Sequence, residues 1–107
     1  MIEQIDGASF DLKVRRSTRP VVVDFFGKQC QPCKKLLPIL EEVAASYGDS
    51  ASFVKVDVED AEAVASELAV FSVPTLIFFK DGYPVDKVTG VTSRSALASR
   101  VEDLIAT

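Results

Sequence analysis

The sequence predicts an α/β fold with a central mixed five-stranded sheet flanked by four helices, in the order βαβαβαββα. Three observations carry this. Strand-like and helix-like stretches alternate along 107 residues without a linker or internal repeat. Pro20 to Phe26 is a continuous β-branched and aromatic run, the pattern of a strand buried on both faces and therefore central in its sheet. Asp81-Gly82, between two apolar runs, is a strong hairpin signal and adds an antiparallel pair.

Taken in order, a short strand around Ile2 to Ile5 precedes a helix capped near Ser9, with Phe10 and Val14 one turn apart. After the central strand, Gln31 to Tyr47 places Cys33, Leu36, Leu37, Leu40, Val43, Ala44 and Tyr47 on one helical stripe. Pro38 falls off that stripe, removes one backbone hydrogen bond and should kink the helix, and Gly48 stops it. Ser52 to Val58 alternates as a strand, and Asp60 to Ala69 reads as a short helix with Val64, Ala65 and Leu68 inward. Thr75 to Phe79 and Val85 to Thr89 form the hairpin, and Pro84 confines the last strand to a sheet edge. Ser93 to Ile105 closes the chain as an amphipathic helix on Leu97, Val101, Leu104 and Ile105.

The length is that of one domain, able to bury about two thirds of its unfolded surface without a disulfide. A net charge of −4 and a pI near 4.7 argue against nucleic acid or an anionic membrane as partner. The small cluster Lys13, Arg15, Arg16, Arg19 is most simply a solvated helix face. The start, MIEQIDGASF, has no apolar core of signal-peptide length, so a cytoplasmic setting is expected. In such a compartment a disulfide is more often transient and catalytic than structural.

Both cysteines, Cys30 and Cys33, fall where the central strand hands over to the long helix. Two cysteines at that spacing on a helix start can close as a disulfide, and the amides and dipole there stabilise a thiolate. Cys30 should lie on the turn facing solvent and Cys33 on the buried stripe, making the first the nucleophile and the second the resolving thiol. The chain has no histidine. That excludes a thiolate-imidazole pair and leaves activation to the helix terminus and to Lys28, Lys34 or Lys35. Two thiolates without histidine make at most half a structural zinc site, so no metal is expected. Burial of both as small hydrophobes suits Cys33 but leaves the Gln31-Pro32 spacer unexplained.

VVVDFF followed by CQPCK, the helical Pro38, FVKVDVE, SVPTLIFFKDG and Gly90 resemble the landmarks of the thioredoxin family, in order and over essentially the whole chain. The resemblance implies a single thioredoxin domain over residues 1–107 that reduces disulfides in protein substrates. Cys30 would attack the target disulfide, and Cys33 would resolve the mixed disulfide. The family's buried acid matches Asp24 and its lysine partner matches Lys55. The alternatives are a satisfied strand-end carboxylate and a solvated strand lysine, but a charge in an otherwise apolar run is costly to bury, which favours function for Asp24. The family's cis-proline matches Pro74, with Val73 before it offering backbone to an incoming peptide. Gln29, Gln31 and Pro32 would join them at the substrate surface, as would Gly90 and Val91; Gly90 also reads simply as a backbone requirement. Phe71 is either a partner-facing apolar group or half-buried against the neighbouring helix. No bound cofactor is implied beyond the redox-active Cys30–Cys33 disulfide. Electrons would come from NADPH through a flavin-containing thioredoxin reductase. The implied partners are that reductase and disulfide-containing clients, with the chain a monomer.

The chain departs from the family in having no tryptophan: Gln29 and Phe26 stand at the two usual positions, and Gln31 replaces the usual glycine. Exchange chemistry does not need those groups, whereas docking does, and neutral Gln31 should make a reductant milder than the usual member. Two other functions fit the same fold. One is a protein-binding module or chaperone with secondary redox activity, and the other a glutaredoxin-like reductase using glutathione, although TGVTSR lacks that family's Gly-Gly site.

Overall fold

The computed structural model describes residues 2–106. Five strands form one sheet in the spatial order β1-β3-β2-β4-β5: β1 is Glu3–Ile5, β2 Val21–Phe26, β3 Ser52–Asp57, β4 Thr75–Lys80 and β5 Tyr83–Thr89. β1, β3 and β2 run parallel, while β4 and β5 are antiparallel additions. The helices are α1 (Gly7–Phe10), α2 (Gln31–Tyr47), α3 (Glu62–Glu67) and α4 (Arg94–Ala106). The mixed sheet and its helices are those the sequence predicts, and β2 is the central strand.

The period-two alternation of strands assigns every inward side chain to one of two cores. Val22, Leu76 and Phe78 face Leu36, Leu40 and Val43 of α2 and Leu97 and Val101 of α4. Val21, Val23, Phe25, Ile77 and Phe79 face Phe10, Val14 and Ala65 on the other side. Asp24 shares its parity with Val22, so β2 sends a carboxyl toward α2, the helix that carries the cysteines.

Local chemistry explains where elements differ from expectation. The cap of α1 is Asp6, not Ser9: its carboxylate accepts the Ser9 N–H at 2.9 Å, so Ser9 lies inside the first turn. α1 then runs into a π-helical turn, Asp11–Arg15, closed by Arg16 N–H to the Asp11 carbonyl. Pro20 lies just outside β2, its carbonyl accepting from Ser52 N–H at 2.8 Å.

α3 is shorter than expected at both ends: it begins at Glu62 after the N-cap Ala61, and a Schellman motif closes it after Glu67. Val70 N–H reaches the Ala65 carbonyl and Ala69 N–H the Ser66 carbonyl, with Ala69 left-handed at φ 57°. β5 begins earlier than expected, since a register shift at Phe78/Phe79 lets Pro84 lie opposite Phe79 on the sheet edge. Asp81 and Gly82 both have positive φ, as the hairpin signal requires. Pro38 lies on the exposed side of α2, which runs through it, and Leu37 and Tyr47 are half-buried rather than fully inward.

Candidate active site

β2 ends at Phe26, and four residues later Cys30 caps α2 with extended backbone at φ −127° and ψ 102°. Its Sγ accepts the Cys33 N–H at 3.2 Å, and the two cysteines are joined as a disulfide with Cα atoms 5.2 Å apart. Pro32 stands in the first turn, where its missing N–H costs no helical bond. The same amide and the positive end of α2 favour a thiolate on Cys30 once the pair is reduced.

The expected contrast between an exposed Cys30 and a buried Cys33 is not found: they are 8% and 6% exposed. As N-cap, Cys30 folds its sulfur back over the first turn. Gly27 is bordered by the side chains of both Cys30 and Val73. A Cβ on Gly27 would lie 3.4 Å from Val73 Cγ2 and 3.7 Å from the Cys30 Cβ.

Val73 belongs to a second loop, which thus borders the same glycine as Cys30. Val73-Pro74 is a cis peptide, and Pro74 is buried. The Pro74 carbonyl accepts the Gly90 N–H at 2.8 Å and the Ser72 carbonyl accepts the Thr75 hydroxyl at 2.7 Å. Among the described residues, no hydrogen bond engages the backbone N–H or carbonyl of Val73. Gly90 is left-handed at φ 91°, and Val91 beyond it is 47% exposed. Phe71 is 86% exposed, which removes the reading that buries it against the neighbouring helix. Gln29 and Gln31 are exposed.

A pocket of about 160 Å³ beside the disulfide is lined by Asp24, Phe26, Gly27, Lys28, Cys33, Lys34, Leu37 and Lys55. Asp24 is 2% exposed, and its Oδ1 has no protein hydrogen-bond partner among the described residues. Burial pushes its carboxyl up to about 7, against the opposing pull of the Lys55 ammonium. Asp24 and Lys55 are in register on β2 and β3, yet they form no ion pair; the Lys55 ammonium lies 5.7 Å from the Phe26 ring centroid. A plainly satisfied carboxylate is therefore not what Asp24 is. The pocket has room for water between Asp24 and Cys33.

Asp57 is a site residue that sequence reasoning missed. It is 1% exposed and pairs with Lys28, Nζ to Oδ2 at 3.3 Å, with Asp60 completing the cluster at 3.6 Å. The alternation in FVKVDVE did carry a signal, because Phe53, Lys55 and Asp57 must share the face of β3 that Asp24 shares on β2. Lys28 is thereby occupied at the end of β3, which leaves Lys34 at the pocket beside Cys33.

A vicinal cysteine pair capping a helix, set against a cis-proline loop and backed by a buried carboxyl, defines a dithiol-disulfide exchange centre. The thioredoxin family model matches residues 1–103. The chain is 43% identical over 99 residues to a thioredoxin of Mycolicibacterium smegmatis, covering 91% of this chain and 88% of the relative. It is 44% identical over 97 residues to a thioredoxin of Staphylococcus aureus, covering 91% of each.

The chain belongs to the thioredoxin family. It is a thiol-disulfide oxidoreductase that reduces disulfides in proteins, and neither the binding-module nor the glutaredoxin reading is favoured. Family members work through the cysteine pair without a bound cofactor, and their clients are disulfide-containing proteins. No helix among the described residues is long and apolar enough to cross a membrane.

Proposed function

We propose that residues 1–107 act as one monomeric domain in which Cys30 is the nucleophile and Cys33 the resolving thiol. The Cys30 thiolate attacks one sulfur of a client disulfide, forming a mixed disulfide and releasing the other client sulfur as a thiolate that takes up a proton. The Cys33 sulfur then attacks Cys30 Sγ, closing the internal disulfide and expelling the second client sulfur as a thiolate, which takes up a proton. Two electrons pass to the client. Asp24, as the carboxylate, accepts the Cys33 proton through pocket water as that attack proceeds and becomes neutral; Lys55 favours the carboxylate form that precedes the transfer. The backbone of Val73, next to Pro74 and Gly90, pairs with the incoming segment, while Gln29, Gln31, Pro32, Phe71 and Val91 form the rim it meets.

Two electrons from NADPH, delivered by a flavin-containing thioredoxin reductase in the cytoplasm, restore the dithiol. With neutral Gln31 in the spacer, the reduced form is stabilised less by local charge than it would be beside a cation. The observation that carries this reading is the Cys30 sulfur held at the α2 N-cap against the Cys33 N–H. Reduction of insulin by dithiothreitol tests it. The protein should accelerate the reaction, Cys30→Ser should abolish the effect, and Cys33→Ser should accumulate a mixed disulfide on Cys30. Undiminished acceleration by Cys30→Ser would refute the assignment.

A further inference from the structure

The chain carries a net charge of −4, yet every charged side chain from Phe25 to Leu40 is a lysine: Lys28, Lys34 and Lys35. Lys28 is answered from within, by Asp57 and Asp60 and, more distantly, by Glu59. Lys34 and Lys35 are exposed and have no ion pair among the described residues. Helix geometry explains why. Their neighbours three and four residues away on α2 are Gln31, Pro32, Leu37, Pro38 and Ile39, together with Cys30 before the helix, so no acid stands within an ion-pairing step. The first acids on α2 are Glu41 and Glu42, seven residues on and about 10 Å along the axis, and Glu42 is held by Arg94 at 2.9 Å. Across the disulfide, the loops carrying Phe71, Val73 and Val91 bring no charge at all between Phe71 and Pro74 or between Gly90 and Ser93.

The exposed groups around the cysteines thus divide by element: apolar residues on the two neighbouring loops, and on α2, one and two residues past Cys33, two ammonium groups without an ion pair among the described residues. We infer that Lys34 and Lys35 select clients electrostatically, favouring an extended disulfide-bearing protein segment with carboxylate side chains beside the reactive cysteine and an apolar residue against Phe71. This deepens, and rests on, the reading of Cys30 as the attacking thiol. Charges one and two residues past Cys33 act on encounter and on the mixed disulfide alike, and their effect is screened by salt.

The test uses the reduced full chain and two peptides with the same internal disulfide, one flanked by Glu and Asp and the other by Lys and Arg. Stopped-flow rates should favour the acidic peptide by about tenfold at low ionic strength, falling to within about twofold at high salt. Lys35→Glu, away from the pocket, should shrink the ratio, and Lys34→Glu with Lys35→Glu should invert it. Lys13→Glu, far along the chain on the π-helical turn, should leave it unchanged. Equal, salt-independent rates for both peptides in an active protein would overturn the charge selection and leave the reductase reading intact. Failure to reduce either peptide would overturn both.

Discussion

Lys28 and Asp57 meet 3.3 Å apart, joining the loop before Cys30 to the end of β3. The lysine side chain is largely in water while the carboxylate is buried, so the pair is asymmetric: Asp57 needs Lys28 more than Lys28 needs Asp57. Its other support is the Glu59 N–H, which donates to Asp57 Oδ1 at 2.9 Å.

Lys28→Met should consequently lower the denaturation midpoint, and Asp57→Asn in the same chain should recover part of the loss. A double-mutant cycle in urea measures the coupling. Additive effects would mean that the pair is not what anchors the loop.

Asp24 sets a pH dependence of known sign. Its folded carboxyl titrates near 7, above the unfolded value of 3.8, so ionisation opposes folding. Stability should fall as pH rises from about 4 through about 7, then level off. At about 1.4 kcal/mol per pK unit the loss is on the order of 4 kcal/mol. Asp24→Asn should flatten this profile, be more stable than the parent at pH 8, and release its mixed disulfide more slowly. Urea titrations across pH and single-turnover reduction check the two halves. A variant less stable than the parent at pH 8 would show that the carboxylate is a structural acceptor.

Ala69 occupies the left-handed position of the α3 Schellman motif, where a side chain costs energy and glycine does not. Ala69→Gly should stabilise the protein by about 1 kcal/mol, a rise of about 4–8 °C in Tm for a chain of this size. Thermal unfolding is the measurement. Insulin reduction should be unaffected, because Lys87 Nζ still finds the residue 69 carbonyl that it now reaches at 2.9 Å.

Two left-handed glycines should respond differently to alanine. At Gly82 a Cβ would fall 2.1 Å from the backbone carbonyl oxygen of Arg15, so Gly82→Ala must push the hairpin turn off the π-helical segment. At Gly90 a Cβ meets nothing within 4 Å, leaving only the backbone strain of about 1–2 kcal/mol. Denaturant midpoints should rank parent above Gly90→Ala above Gly82→Ala, and a reversed order would refute the steric account.

The architecture was legible because its signals are periodic: the unbroken run at Val21 to Phe26, the stripe from Cys33 to Val43 and the Asp81-Gly82 turn each report on their own neighbourhood. The cysteine pair was legible for the same reason. What escaped depends on partners distant in sequence. Nothing local says that Lys28 is turned toward Asp57, that Cys30 is tucked beneath its own helix start, or that Phe71 stands clear of α3. The end of α3 was misplaced because Ala69 adopts a conformation that its residue type disfavours, so apolar periodicity ran on past the true cap.

The closeness of Cys30 to Cys33 along the chain separates reactivity from architecture. A cross-link closing so small a ring restricts the unfolded chain by only about 2 kcal/mol in the loop-entropy picture, near the low end for any disulfide. Neither core cluster contains a cysteine, and the sheet is assembled without one. The molecule is thus a rechargeable tool whose working edge is not a rivet: making or breaking the bond alters what the protein does to others far more than what it needs for itself.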